Sequence, residues 1–290
     1  MKNIKHILVL PIFMLSVFRV FAQEDTEVVK EDKVIRPMFE SAYLMDNQSV
    51  VVYPKNTLEF VMQHRFGSIE NGISDFFGLY GITNIRLGLT YVPLKNLAVG
   101  YGITKDKLYQ DFNVKYSIKE QTRSGSMPVS LAYYGNATVD SRAKGDIERF
   151  ANSTDRLSFY HQAIVARKFN SKLSVQLSPS YTHFNAVPAF LDNGEVRGTM
   201  NNDHFAVDIS GRYKVSAQGS ITVGYNQPIT KHFTNNPSPN ISFGFEVATS
   251  SHAFQVYMGN YWGIVPQVNN FHNQNTNFLI GFNITRLWSF

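Results

Sequence analysis

From Thr57 onward, apolar side chains alternate with small or polar side chains along most of the chain. This period of two predicts β-strands, because successive side chains of a strand point to opposite faces. In residues 84–91, Ile, Leu, Leu and Tyr occupy the odd positions, and Asn, Arg, Gly and Thr occupy the even positions. About twelve segments follow the pattern, near residues 58–63, 84–91, 97–104, 111–118, 128–139, 156–168, 173–184, 203–214, 219–226, 240–249, 253–260 and 277–290.

The polar face of these strands is rich in small residues, as at Ser174, Ser178, Ala206 and Ser210. A soluble sandwich would turn a charged face toward water, whereas small residues suit the crowded inside of a barrel. Charged residues make up 17% of the chain and aromatic residues 14%, which suits a surface that faces lipid. After the N-terminus, no run reaches the roughly 20 apolar residues of a membrane helix, so a membrane protein of this sequence must be a closed barrel.

The connections between the segments alternate in length, as they do in outer-membrane barrels. The short ones are 93–96, 170–172, 215–218 and 250–252, and the long ones are 67–83, 140–155, 185–202, 227–239 and 261–275. Residues 105–108 and 120–127 fit this alternation less well. We therefore predict an all-β protein whose residues 56–290 form a single antiparallel transmembrane β-barrel of about 12 strands, a count that could change by two. Short turns would lie on the periplasmic side and longer loops outside.

The last segment, Asn277 to Phe290, alternates in the same way and ends on an aromatic residue. Strands of this kind are typical of outer-membrane barrels, whose assembly machinery reads such an ending. We therefore expect two partners for the barrel: the lipid of the outer membrane, and the barrel-assembly machinery, which would bind the strand that ends at Phe290.

Residues 1–22 have the pattern of a secretory signal peptide. Lys2 and Lys5 precede the apolar run Ile7 to Phe18, and Ala22 fits a small-residue cleavage site. The run is too short for a membrane anchor. Export and a transmembrane barrel together predict the cell outer membrane as the location.

Residues 23–55 divide into two parts. Glu24 to Arg36 is charged, has no apolar face, and is expected to be a periplasmic tail. Residues 37–55 could cover the mouth of the barrel, plug its lumen, or pair as an extra strand, and the sequence does not choose between these three placements.

Several short motifs along the chain resemble an uncharacterised outer-membrane β-barrel family, a domain of unknown function, of Bacteroidota-type Gram-negative bacteria. The resemblance covers nearly the whole mature chain and implies a fold and a location but no activity and no catalytic residues. The motifs are Arg36-Pro37 with Phe39-Glu40-Ser41, His64-Arg65-Phe66-Gly67, Phe77-Gly78-Leu79, Asn84-Ile85-Arg86-Leu87-Gly88, Met127-Pro128-Val129-Ser130 and Ala166-Arg167-Lys168-Phe169-Asn170.

Composition excludes several kinds of chemistry. The chain has no cysteine, so it has no disulfide, thiolate metal site or thiol nucleophile. Its formal charge of +5 falls to +2 without Lys2, Lys5 and Arg19 of the signal peptide, and the basic residues are scattered, so nucleic acid is not an expected partner.

Catalytic and metal-binding patterns are weak. The pairs Ser158 with His161 and Ser180 with His183 would suit a barrel hydrolase, but each pair straddles the two faces of its strand. The run Asp192 to Glu195 offers oxygen ligands for calcium, although Asn-Gly is more simply a turn signal. We expect no enzymatic activity, no cofactor and no metal.

The predicted lumen carries the remaining candidate chemistry. Seven charged residues fall on the inward face of their strands: Glu59, Arg86, Asp111, Lys115, Asp208, Arg212 and Glu246. Such charges can select solutes in a pore, or they can pair and seal the lumen. The sequence favours a narrow or plugged pore that passes or binds a small polar solute. The alternatives are a structural or adaptor barrel that docks periplasmic or surface partners and, less favoured, an outer-membrane lipid hydrolase.

Overall fold

A computed structural model describes residues 32–143 and 150–290. The expected signal peptide, residues 1–22, and most of the expected tail lie outside the described residues. Within the described ranges, no helix is both long enough and apolar enough to cross a membrane.

Sixteen strands and one α-helix, α1 (Pro266–His272), follow one another along the described chain. The strands are β1 (Tyr43–Leu44), β2 (Asn47–Gln48), β3 (Thr57–Ser68), β4 (Asn84–Leu94), β5 (Leu97–Thr104), β6 (Gln110–Lys119), β7 (Ser130–Val139), β8 (Leu157–Lys168), β9 (Leu173–Phe184), β10 (Ala189–Asp192), β11 (Glu195–Thr199), β12 (Asp203–Lys214), β13 (Gly219–Pro228), β14 (Asn240–Ala248), β15 (His252–Gly259) and β16 (Leu279–Ser289).

Twelve of these strands form one closed antiparallel barrel. Strands β3 to β9 and β12 to β16 pair in chain order, β9 pairs with β12, and β16 pairs with β3 to close the cylinder. Closure gives every strand two hydrogen-bonded neighbours and leaves no open edge. The predicted fold and strand count are confirmed.

The two faces of the barrel wall have opposite character. In β4, Asn84 and Arg86 are buried inside, whereas Leu87 and Leu89 are exposed outside at 37% and 51%. The same contrast recurs around the barrel, since Val223 and Val256 are 52% and 58% exposed on the outer surface. Apolar side chains at this exposure match a wall that is covered by lipid.

The connections between the barrel strands lie at the two ends of the barrel. Short turns join β4 to β5, β8 to β9, β12 to β13 and β14 to β15, while the opposite side carries the long loops. One long loop contains the hairpin of β10 and β11, whose turn is Asn193-Gly194, and both residues have positive φ angles (51° and 81°). Positive φ angles at both residues are typical of a two-residue hairpin turn, so the Asn-Gly pair forms a turn.

Most of residues 38–53 are buried inside the barrel. Ile35 donates its backbone N–H to the carbonyl of Gln121 in the turn between β6 and β7, so the segment enters from the short-turn side. Strands β1 and β2 then form a hairpin in the lumen, with Met45 at its tip in a left-handed conformation. Of the three placements that the sequence left open, the structure shows the plug.

Candidate functional site

The lumen of the barrel is polar but tightly filled. All seven charged residues that the sequence assigned to the lumen lie on its inner face and are at most 5% exposed: Glu59, Arg86, Asp111, Lys115, Asp208, Arg212 and Glu246. Buried charges are costly unless they are paired or hydrogen-bonded. Their partners therefore show what each charge does.

Arg86 and Asp111 form a two-pronged ion pair across β4 and β6. Arg86 Nε and Nη2 each lie 2.8 Å from a carboxylate oxygen of Asp111, and Asn136 donates a further hydrogen bond to that carboxylate. Gly102 lies between them, and a Cβ atom at that position would come within 2.3 Å of Arg86 Nη2. The pair is a brace within the wall.

Two wall residues hold the plug through its main chain. Lys115 Nζ lies 3.0 Å from the carbonyl oxygen of Ala42 and 3.3 Å from that of Val51. Gln255 donates to the carbonyl of Tyr43 and accepts from the N–H of Met45. An unpaired backbone group inside the barrel would be costly, so these side chains do for the hairpin what a neighbouring strand does in a sheet.

Two more wall side chains continue this support. Gln176 donates to the carbonyl of Gln48 at 2.7 Å, and Asn283 donates to the carbonyl of Met45 at 2.6 Å. The alternation of side chains along β9 and β16 places Gln176 and Asn283 on the inner face, but it suggested no role for them. Their role depends on where the plug lies, which parity does not reveal.

Arg212 holds the stem of the plug near the short-turn side. Its Nη1 donates to the carbonyl of Met38 at 3.2 Å, and its Nη2 lies 3.0 Å from Glu40 Oε1. Lys214 Nζ is 3.6 Å from the same oxygen. A carboxylate of the plug is thus shared between two cations of the wall.

The three inward carboxylates Glu59, Asp208 and Glu246 form no ion pair within 4.0 Å in the described chain. Ser210 donates to Asp208, and Gln255 donates to Glu246 at 2.8 Å. Glu59 lines a small enclosed cavity together with Lys115. The inner charges are therefore only partly paired with one another.

Apolar contacts also fix the plug. Phe39, Leu44 and Val50 are buried against Tyr134 and Ile164 of the wall. Burying a side chain of this size contributes about 1.5–3 kcal/mol relative to exposure. The lumen is therefore filled by a packed segment and not by a loosely placed tail.

Helix α1 enters the lumen from the opposite end. Gln267 Nε2 donates to Asn136 Oδ1 at 2.8 Å and to Thr138 Oγ1 at 3.1 Å, and Asn270 donates to Ser180 at 3.0 Å. Phe271, which is fully buried, packs beside a cluster of aromatic rings from the wall and the loops: Phe184, His204 and His232. The sequence analysis treated residues 261–275 only as a long outer loop.

The plug and α1 meet at a narrow seam in the middle of the lumen. Asn269 of α1 donates to Asp46 Oδ2 of the plug tip at 3.4 Å, a long hydrogen bond. Burial raises the pKa of the Asp46 carboxyl above its ordinary value, and the nearby charge of Arg65 opposes that rise. The tip of the plug also contacts Tyr261, in the loop that leads into α1, through Met45 and Asp46.

Arg65 borders the seam and was missing from the predicted lumen charges. It is fully buried, lies over the rings of Tyr257 and Tyr261, and its Nη1 donates to Asn283. Its Nε and Nη2 have no hydrogen-bond partner within the described residues. The alternation of β3, in which Glu59 and Arg65 share a parity, was the signal that could have identified it.

The serine and histidine pairs that suggested a hydrolase are split by the wall. Ser158 and Ser180 are buried inside, whereas His161 contacts Tyr133 and His183 contacts Asp203 on the outer surface. Within residues 32–143 and 150–290, no group of three or more His, Cys, Asp or Glu side chains could hold a metal ion.

Comparison with known proteins gives the family. Residues 39–288 match the family described as a membrane bound beta barrel domain (DUF5777). The chain belongs to this family. This DUF5777 protein is a β-barrel of the outer membrane, and the resemblance read from its motifs is confirmed at the level of the family. A Bacteroidota-type origin stays a prediction.

Solved structures of similar fold include outer-membrane channels. The COG4313 outer membrane channel from Pseudomonas putida F1 is 13% identical, with a TM-score of 0.50 over 82% of this chain and 97% of that chain. The NanC porin is 10% identical, with a TM-score of 0.49 over 80% and 99%. At such low identities the likeness concerns the fold alone. No curated protein sequence matches this DUF5777 chain.

Proposed function

We propose that this DUF5777 protein is a plugged outer-membrane pore that binds or passes a small polar solute once its lumen opens. One observation carries the proposal: wall side chains such as Lys115 and Gln255 hold the plug through hydrogen bonds to its backbone. Water can replace such bonds when a segment withdraws, whereas an apolar wall would stay dry. The lumen would then be a hydrated channel lined by charges that select solutes.

The route through this lumen is closed twice. The plug blocks the short-turn side, and α1 blocks the side of the long loops, with the contact between Asp46 and Asn269 between them. We therefore expect the intact chain to conduct little and the two elements to contribute separately to closure.

Planar-bilayer recording tests the proposal with three proteins. These are residues 23–290, the same chain without residues 23–55, and that shortened chain with residues 263–274 replaced by a short Gly-Ser linker. We expect rare openings, a small steady conductance and a large conductance, in that order. Heat-modifiable migration on a gel would first establish that each barrel is folded. Three folded barrels without conductance would end the pore proposal.

A second candidate is an adaptor barrel that docks a partner. The hairpin of β10 and β11 supports this alternative, because Leu191 and Val196 are 59% and 62% exposed on the side of the long loops. Co-purification of a partner in a fixed ratio, lost when residues 189–199 are removed, would favour the adaptor over the pore.

The proposal includes no enzymatic step, and the placement of Ser158 and Ser180 on the opposite side of the wall from His161 and His183 supports that choice. Binding of the last strand by the barrel-assembly machinery remains a prediction from the sequence.

A further inference from the structure

The short-turn end of the barrel contains a cavity between the stem of the plug and the wall, which we call the rim pocket. Its volume is about 250 Å³, close to the size of pockets that hold small ligands. Six charged residues line it: Arg36, Glu40, Lys168, Lys172, Arg212 and Lys214.

The charges of the rim pocket do not balance. Five of the six are cations, and the single carboxylate, Glu40, is already shared by Arg212 at 3.0 Å and Lys214 at 3.6 Å. Glu120 does not line the rim pocket but a neighbouring cavity, which shares Arg36 with it. The pocket therefore carries four positive charges in excess.

The remaining cations have only neutral contacts or none in the described chain. Lys168 Nζ donates to the carbonyls of Pro37 at 3.2 Å and Arg36 at 3.5 Å, which do not cancel its charge. Neither Arg36 nor Lys172 forms an ion pair with a described carboxylate. An adjoining shallow cavity adds Arg123 to the same patch. Positive charges held together in one concave site attract anions strongly.

We propose that the rim pocket binds a small anion with two or more carboxylate or phosphate groups. Arg and Lys side chains are the usual partners of both groups, and two or more anionic groups would be needed to match the excess charge. The pocket lies at the short-turn mouth of the lumen, the end expected to face the periplasm, and on the inner side of the wall, since Ser174, Arg212 and Lys214 belong to the inner face of their strands. The ligand is therefore a soluble molecule.

Glu40 is the internal competitor of this ligand. Its carboxylate occupies the position at Arg212 and Lys214 that an external anion would take. Arg212 also holds the carbonyl of Met38, two residues earlier in the stem. Binding of the anion thus replaces the contact between Glu40 and Arg212 with a contact between the ligand and Arg212. Occupancy of the pocket is therefore linked to how firmly the stem is held.

Titration calorimetry of the folded mature chain in detergent at low ionic strength tests the proposal, with citrate and pyrophosphate as probes. We expect one site per chain. Lys172→Gln and Lys214→Gln should each weaken binding about fivefold, which matches the loss of one partly exposed charge contact. Lys95→Gln makes the same change in a short turn away from the pocket and should leave binding unchanged. Arg212 is left intact because it also holds the plug.

Glu40→Gln supplies a gain of function that misfolding cannot imitate. Without the competing carboxylate, both probes should bind at least threefold more tightly. The proposal fails if neither probe binds to the natural chain or to Glu40→Gln, or if Lys95→Gln weakens binding as much as Lys172→Gln does. It also fails if binding appears only after Glu24, Asp25, Glu27 and Glu31 are changed to Gln, because the pocket would then belong to the tail of this chain. None of these measurements depends on conduction through the barrel.

Discussion

The plug and α1 fill the same lumen from opposite ends, but they are held in opposite ways. The plug is held by side chains of the wall that reach its backbone, such as Lys115 to Ala42 and Gln176 to Gln48. Helix α1 is held by its own side chains, since Gln267 and Asn270 reach out to the wall. Stability of the plug should therefore depend on wall residues, and stability of the outer closure should depend on residues of α1.

The difference also bears on opening. A segment held through its backbone can tolerate changes in its own side chains, whereas a helix held through its side chains is weakened directly when one of them is changed. We expect the outer closure to open first and the plug to set the slower step. The chain has no natural cysteine, so one engineered thiol in each element reports its release by chemical labelling.

The largest expected effect is that of Lys115→Met on the plug. The change removes a hydrogen bond from the carbonyls of both Ala42 and Val51, and it removes the cation that shares a cavity with Glu59. The Ala42 carbonyl keeps its hydrogen bond from the N–H of Ser49. Such losses cost about 3 kcal/mol, or about a hundredfold in labelling rate at Ser49→Cys. Lys119→Met, at the exposed end of the same strand, is the control. Equal rates in the two proteins would contradict the proposed role of Lys115.

Gln267→Leu should release α1 and leave the plug in place. It removes hydrogen bonds to Asn136 and Thr138 inside the lumen, a loss of about 1–3 kcal/mol. Labelling at Val265→Cys should accelerate, while labelling at Ser49→Cys should not. Gln274→Leu makes the same change at an exposed position of the loop. If both cysteines respond to Gln267→Leu, the two closures are coupled and the comparison is wrong.

A smaller effect should distinguish a change in the donor of one hydrogen bond from a change in the residue whose carbonyl accepts it. Gln176→Ala removes the donor to the Gln48 carbonyl and should loosen the plug by about 1–2 kcal/mol. Gln48→Ala keeps that carbonyl and should cost less, so thermal unfolding of the two variants should differ in this order. The reverse order would mean that the side chains of the plug, and not its backbone, carry the contact.

The smallest expected effect is a pH dependence at the seam. Because burial raises the pKa of Asp46, the closed seam binds a proton more firmly than an open, hydrated lumen does. Protonation of Asp46 contributes fully to the stability of the closed seam below the ordinary carboxyl pKa of about 4. This contribution is lost as the pH rises through the raised pKa of Asp46. Open probability should therefore increase over that window in the natural protein but not in Asp46→Asn. A flat profile for both would remove Asp46 from the seam.

The alternation of side chains determined most of the barrel. Residues such as Glu59 and Leu89 face inside or outside according to their parity, because a strand inserted between lipid and a filled lumen leaves only one orientation for each side chain. Connection length then ordered the short and long sides, and Asn193-Gly194 formed a turn because these residue types accept positive φ angles. The same reasoning could have included Arg65.

Only the tertiary structure decided what fills the lumen. Residues 37–55 and α1 carry no pattern that selects a position inside the barrel, because contacts between distant residues place them there. Lys115 and Ala42 are 73 positions apart, and Gln267 and Asn136 are 131 positions apart. The excess charge of the rim pocket likewise arises when the stem brings Arg36 and Glu40 to Lys168 and Arg212. Period-two alternation is a local property, so it determines the wall, whereas the plug, the seam and the pocket depend on where distant segments meet.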